Sequence, residues 1–259
     1  MALTVFPVWA EAYSFSITPQ FERRKLFTIW QPIVDELRRR TGLDLQLVTA
    51  LSVADFERDL RQGVYDFAYM NPYLVPQVGA SPGYVPLIRD ILPLRGILVV
   101  RKDSPYRSVK ELQGKTLAVP SLSALGANLL LRAELERQQQ VIMKPLEART
   151  HASVFLHVIN GLAEAGGSVQ KALAEQDPAV QDALRVLYTT QDAMSHALAA
   201  HPRIPAGARD KVRQALIDMS ASESGRWLLA EIPMKQAVPA LLEDYRSLQA
   251  LQLERYLQP

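Results

Sequence analysis

The chain of 259 residues contains no cysteine, which excludes disulfides, thiolate metal sites and thiol nucleophiles. It has no apolar run near the ~20 residues that a membrane-crossing helix needs. Its opening, Met1-Ala2-Leu3-Thr4, lacks the basic start and apolar stretch of a secretory leader, so an exported form is expected to have lost its leader by cleavage. Charge of one sign is nowhere concentrated. The 29 basic and 27 acidic side chains are interspersed for a net charge of +2, which removes the electrostatic basis for nucleic-acid binding. The triplet Arg38-Arg39-Arg40 ends an amphipathic segment, where cations complement a helix dipole. Internal repeats and low-complexity tracts are missing as well.

Catalytic signatures are equally scarce. There is no Gly-x-Ser-x-Gly elbow, no phosphate-binding loop and no His-Glu-x-x-His. The four histidines, His151, His157, His196 and His201, have no clustered carboxylates to complete a metal set, so neither a metal nor a cofactor is expected. A Ser123/His151 pair lacks a third member that would make it a nucleophilic triad. The chain is therefore expected not to be an enzyme.

What is present is 48% apolar sequence, enough for a sizeable core in one large domain or two smaller ones. Strand-like runs at Leu3–Trp9, Asp44–Thr49, Asp66–Met70, Val85–Arg89, Gly96–Arg101 and Thr116–Pro120 alternate with helical segments, which predicts βαβ units and parallel sheets. The first helix is expected over about Phe21–Arg40, where Leu26, Ile29, Trp30, Ile33, Val34 and Leu37 recur at helical spacing and Thr41-Gly42 supplies the stop. A second follows Ser52, a third spans Gly126–Gln140, a fourth runs from about His151 to Asn160, and a terminal helix covers Leu241–Leu257. The polar connection Lys102-Asp103-Ser104-Pro105 reads as a crossing, giving one lobe from residues 1–99 and 198–259 and a second from 100–197. Ligands of such sheets sit at the carboxyl ends of strands, where helix starts aim unpaired N–H groups.

Three segments offer that chemistry. Ser121-Leu122-Ser123-Ala124 joins a strand end to a helix start and presents hydroxyls and backbone donors, although serine there also serves as an ordinary cap. Asn71-Pro72-Tyr73 has the same design, with Tyr73 either leaning over a cleft or packing in the core. Thr150-His151-Ala152-Ser153 opens a helix whose His151 can donate to an oxyanion or simply finish the loop. His196 stands before Ala197 and Ala199, and strand alternation would set it on the other face from them.

Taken in order, Trp30-Gln31-Pro32-Ile33-Val34, then Leu60-Arg61-Gln62-Gly63-Val64-Tyr65-Asp66-Phe67-Ala68 with Asn71-Pro72-Tyr73, then Val109-Lys110-Glu111-Leu112-Gln113-Gly114-Lys115-Thr116-Leu117-Ala118, resemble one family. The likeness continues through Thr150-His151, Val158–Gly166 and Ser195-His196 and so spans nearly the whole chain. The family is that of the phosphate-, phosphite- and phosphonate-binding proteins of ABC transporters. The resemblance implies an α/β, type II periplasmic-binding-protein fold, with two α/β lobes, a hinge and a central ligand cleft that closes over a phosphorus oxyanion. It implies a periplasmic location and two kinds of partner, a small anionic ligand and an ABC permease. The same fold also serves as the sensing domain of membrane signalling proteins such as histidine kinases, which is the alternative. Carried over by position, the implied pocket residues are Phe21 or its neighbour Gln20, Tyr73, Ser123 and His151, and with Asn71, Ser121, Ala124, Ser153 and His196 they make up the expected ligand-binding set. The chain departs from the family at Ser123-Ala124-Leu125-Gly126, where Ser-Thr-Ser-Gly is usual. Each missing donor to a charged ligand weakens binding by roughly 1.5–3 kcal/mol.

Overall fold

The computed structural model describes residues 12–19 and 21–258. Eleven strands among them are β1 (Tyr13–Ile17), β2 (Leu45–Val48), β3 (Phe67–Met70), β4 (Val85–Asp90), β5 (Gly96–Arg101), β6 (Thr116–Val119), β7 (Lys144–Glu147), β8 (Ala165–Val169), β9 (Leu184–Thr189), β10 (Ala197–Ala200) and β11 (Ala237–Pro239). They form two sheets, one in the order β11-β4-β10-β3-β1-β2 and the other β7-β6-β8-β5-β9. The helices are α1 (Arg23–Thr41), α2 (Val53–Arg61), α3 (Val75–Ala80), α4 (Leu131–Gln139), α5 (His151–Ile159), α6 (Gln170–Ala174), α7 (Pro178–Asp182), α8 (Ala206–Ala221), α9 (Glu223–Leu229) and α10 (Arg246–Ala250).

Helix α1 shows how sequence becomes element. Its apolar positions Leu26, Ile29, Trp30, Ile33, Val34 and Leu37 are all buried, and the chain turns out of the helix at Gly42. Gly42 adopts φ 69°, a left-handed conformation open to glycine, and its N–H donates to the Arg38 carbonyl at 2.9 Å. The face so buried meets β1 and β3, where Phe15, Trp30, Phe67 and Tyr69 form a chain of ring contacts 4.9–6.4 Å apart. Helix α2 is capped by Ser52, whose hydroxyl accepts from the Asp55 N–H at 3.0 Å.

The structure corrects several expectations. The strand expected at Leu3–Trp9 lies outside the described residues, and the strand that enters the first sheet is β1. The sheets are mixed rather than parallel, because β10 and β11 return antiparallel to β3 and β4, and β5 runs antiparallel to β8 and β9. The expected division at residues 99 and 100 falls inside β5, whose whole length is hydrogen-bonded into the second sheet. The connections between sheets are residues 91–95 and 190–196. The single helix expected at Gly126–Gln140 is a π-helical turn, Leu125–Leu130, leading into α4. That turn sits directly on glycine backbone: a Cβ on Gly96 or on Gly167 would lie 2.0 Å from the carbonyl oxygens of Gly126 and Ala127 respectively. The terminal helix expected at Leu241–Leu257 is broken into 3-10 turns and α10, with Gln252 at φ 48°. The break lets Leu248, Leu253 and Tyr256 all stay buried, with Tyr256 ringed by the guanidinium groups of Arg132, Arg137 and Arg255 at 5.1–5.7 Å.

The two sheet-based halves are joined by apolar packing and by polar contacts. A shared apolar cluster joins Phe56, Tyr73 and Tyr84 of the first lobe to Leu125, Leu129 and Leu130 of the second. Asn71 Nδ2 donates to the Ser123 carbonyl at 2.7 Å, and Lys171 Nζ donates to the carbonyls of Ala230 and Ile232, each at 2.6 Å. Both polar clasps bridge the two sheet-based halves.

Candidate functional site

Parallel strands deliver their carboxyl ends to the crevice between these halves. On the first sheet Thr18 follows β1 and Asn71 follows β3; on the second Pro120 and Ser121 follow β6, and β8 carries Ser168. Between them lies a small cavity of about 30 Å3 lined by Thr18, Pro19, Val53, Asn71, Pro120, Ser121, Ala124, Arg149 and His151. Since a water molecule needs roughly 10–15 Å3, the space suits the head of a small ion. No aspartate or glutamate is among the lining residues.

The second-sheet wall is built by two helix starts. At the first, the Asn128 and Leu129 N–H groups both bond to the Ala124 carbonyl, at 2.9 and 3.1 Å, which sets Ala124 at the cavity edge. At the second, Thr150 caps α5 by accepting from the Ser153 N–H at 3.1 Å, and His151 occupies the first helical position. Arg149 precedes this cap at φ 72°, an uncommon conformation for a residue with a Cβ, and it turns the chain so that both Arg149 and His151 border the cavity. Ser121 and Ser123 hydroxyls lie 3.3 Å apart.

Histidine chemistry dominates the interior. His151 is buried, and its Nδ1 lies 2.8 Å from the hydroxyl of Ser168, itself fully buried. Loss of hydration holds the His151 imidazole neutral, its pKa pushed down to about 4. His196 is pushed down to about 4 by burial first and then by its nearness to His151. Its ring stacks on Tyr69 with centroids 5.6 Å apart and planes 16° from parallel. Burial drives the Tyr69 phenol well above its ordinary value, and its hydroxyl is buried without a hydrogen-bond partner among the described residues. A neutral imidazole offers one donor and one acceptor, so serine and histidine together can donate to an oxyanion without a resident cation in the interior. Among the described residues no group of three or more His, Asp or Glu is arranged to hold a metal ion.

The residues expected from sequence are distributed as follows. Asn71, Ser121, Ala124 and His151 line the cavity. Ser123 is not among the lining residues and gives its carbonyl to Asn71, and His196 is near enough to His151 for that charge to act on it. Ser153 serves the α5 cap, its hydroxyl accepting from Thr150 at 2.9 Å. Tyr73 is in the apolar core, with its N–H on Asn71 Oδ1 at 3.1 Å. Phe21 packs at the edge of the first-lobe core under the Lys25 ammonium, 4.4 Å from its ring centroid. Gln20 lies outside the described residues. Thr18, Val53, Arg149, Ser168 and Tyr69 were not anticipated, and only Thr18 and Arg149 carried a signal, as polar residues flanking a strand end and a helix cap.

A two-sheet molecule with a polar cavity at the strand ends between its lobes is a periplasmic binding protein in architecture. Similar solved structures agree: a binding protein component of an ABC phosphonate transporter from Pseudomonas aeruginosa (TM-score 0.83, 14% identity, covering 95% of this chain and 87% of that one) and PhnD1 from Prochlorococcus marinus in complex with methylphosphonate (TM-score 0.84, 14% identity, 96% and 99%). XAC2383 from Xanthomonas citri, bound to ATP, is also similar (TM-score 0.72, 18% identity, 95% and 97%). The model of the family described as ABC transporter, phosphonate, periplasmic substrate-binding protein matches residues 15–245, and the chain belongs to that family. Its members are solute-binding proteins rather than enzymes. Among curated proteins none matches the chain.

Proposed function

We propose that this protein captures a small phosphorus oxyanion, a phosphonate or a phosphate- or phosphite-like ion, between its lobes outside the cytoplasmic membrane and presents it to an ABC importer. The observation that carries this reading is the 30 Å3 cavity, bordered from both lobes by Thr18, Asn71, Ser121 and His151, with Arg149 at its edge and no carboxylate among its lining residues. Hydroxyls, an amide and a neutral imidazole replace the hydration of an anion, and hydrogen bonds to a charged acceptor are roughly twice as strong as those to a neutral one. The lobes that move are the two sheet-based halves, exchanged at residues 91–95 and 190–196, and they separate to admit the ion and close on it.

A thermal-shift panel of phosphate, phosphite, methylphosphonate, sulfate, nitrate and small carboxylates tests this. A ligand at 100 times its Kd adds about 2.7 kcal/mol to stability. A rise in melting temperature confined to phosphorus oxyanions is the expected result, and a flat panel would remove the reading.

A further inference from the structure

Ser168 stands in β8 two residues after Gly166, so both face the same side of the sheet. A Cβ on Gly166 would lie 2.7 Å from the Val154 side chain and 2.9 Å from that of Val158, so this glycine lets α5 settle directly on the strand. With Val154 and Val158 over Gly166, the first residue of the helix comes to Ser168: His151 Nδ1 lies 2.8 Å from the Ser168 hydroxyl. The rest of that face is apolar. Ser168 is paired across the sheet with Ile97, which packs with Phe155 and Val158. Ser168 and Ile97 are both fully buried, and among the described residues the Ser168 hydroxyl has no hydrogen-bond partner other than His151.

That hydroxyl has one proton to place. Burial holds the His151 imidazole neutral, so one of its nitrogens carries a proton and the other a lone pair. A proton on Nδ1 would be donated to Ser168 and would leave the serine proton buried without an acceptor, which is costly. With the proton on Nε2, the serine donates to the Nδ1 lone pair and both buried atoms are satisfied. His151 lines the cavity and Ser168 does not, so the ring edge turned away from Ser168 is the one open to a ligand, and Nε2 has no hydrogen-bond partner among the described residues.

Resting on the phosphorus-oxyanion reading above, we infer that Ser168 is a positioning residue: it holds His151 in the Nε2–H tautomer, so that the imidazole meets the ligand as a hydrogen-bond donor. The opposite tautomer would turn a lone pair towards an anionic oxygen and forfeit that bond.

The test reads the ring nitrogens directly. Long-range proton–nitrogen correlation on protein isotope-labelled at histidine shows which nitrogen of each imidazole carries the proton, and His151→Ala identifies the signals of that ring. In the ligand-free protein at neutral pH, His151 shows a protonated Nε2 and an unprotonated Nδ1. Ser168→Ala moves the Nδ1 resonance, because that lone pair loses its donor, and lowers methylphosphonate affinity about five-fold by titration calorimetry. Ser168→Cys, which keeps an atom in place with a weaker donor, falls between the two. A protonated Nδ1 in the unaltered protein overturns the inference and leaves the oxyanion reading standing, as does a Ser168→Ala protein with nitrogen resonances and affinity both unchanged. If methylphosphonate binds none of these proteins, the oxyanion reading falls, and the donor role of His151 falls with it.

Discussion

Acidification should weaken the ligand-free protein through two side chains. His151 and His196 are both held at about 4, against an ordinary histidine value of 6.5, because burial disfavours their charged forms, with the nearness of His151 lowering His196 further. Between those values the unfolded chain binds protons that the native protein refuses, so stability is complete above about pH 6.5 and declines as pH falls towards 4. Each histidine contributes a slope of up to about 1.4 kcal/mol per pH unit, and the pair up to about 2.7. The loss by pH 4 is on the order of 3 kcal/mol per histidine, a large share of the 5–15 kcal/mol that a domain of ordinary stability possesses. Urea unfolding at a series of pH values between about 7 and 5 measures it, in a window where carboxylates such as Glu36, held at about 2 by Arg39 and Arg40, do not titrate. His201, lowered by partial burial, adds a contribution of the same sign, so the double variant His151→Gln/His196→Gln isolates the pair. A bound dianion should raise both histidines and flatten the decline, making ligand binding tighter as pH falls. A stability that is level from pH 7 to 5, or a slope as steep in the double variant as in the unaltered protein, would refute the burial argument.

Three further substitutions probe the scaffold and the clasps. Gly167→Ala forces a Cβ to within 2.0 Å of the Ala127 carbonyl oxygen and should cost about 1–3 kcal/mol, read as a lower urea midpoint at constant slope. Asn71→Ala removes a cavity-lining amide and the 2.7 Å bond to Ser123; a net loss of about 1.4 kcal/mol, or ten-fold in affinity by titration calorimetry, is expected. Lys171→Met keeps the aliphatic stem but deletes both 2.6 Å bonds across the crevice, so the dissociation rate of bound ion should rise several-fold by stopped flow. The same variant should also be more expanded in solution scattering without ligand, and unchanged values in both assays would show that the clasp carries no closure energy.

Much of the fold was legible because local signals and tertiary roles coincide. The 3.6-residue apolar spacing of α1 and its Thr41-Gly42 stop, and the β-branched run of β5, each appear within a residue or two of their expected limits. The failures came where a long-range contact decides. The break at Gln252 has no local cause such as proline or glycine; it accompanies the burial of Leu248, Leu253 and Tyr256 in one apolar cluster shared by distant parts of the chain. The π-helical turn at Leu125–Leu130 depends on Gly96 and Gly167, distant in sequence, letting it lie directly on the sheet. Within the site, Asn71, Ser121 and His151 were accessible because strand ends and helix starts are recognisable and because polar residues stand there. Ser168 was not, since it lies inside a strand buried on both faces, where sequence gives no sign that it faces a histidine 17 residues earlier. Tyr73 shows the limit of the same logic: the turn before it was recognisable, but the side to which its ring points depends on packing with Phe56 and Tyr245.

Titration of the purified chain with methylphosphonate, beside His151→Ala, tests the central claim most directly. Saturable one-to-one binding that weakens at least about ten-fold in the variant is the expected result, because the substitution deletes a buried donor to a charged head group at a cost of about 1.5–3 kcal/mol. Absence of binding, or equal affinity in both proteins, would contradict an oxyanion held between the lobes at His151.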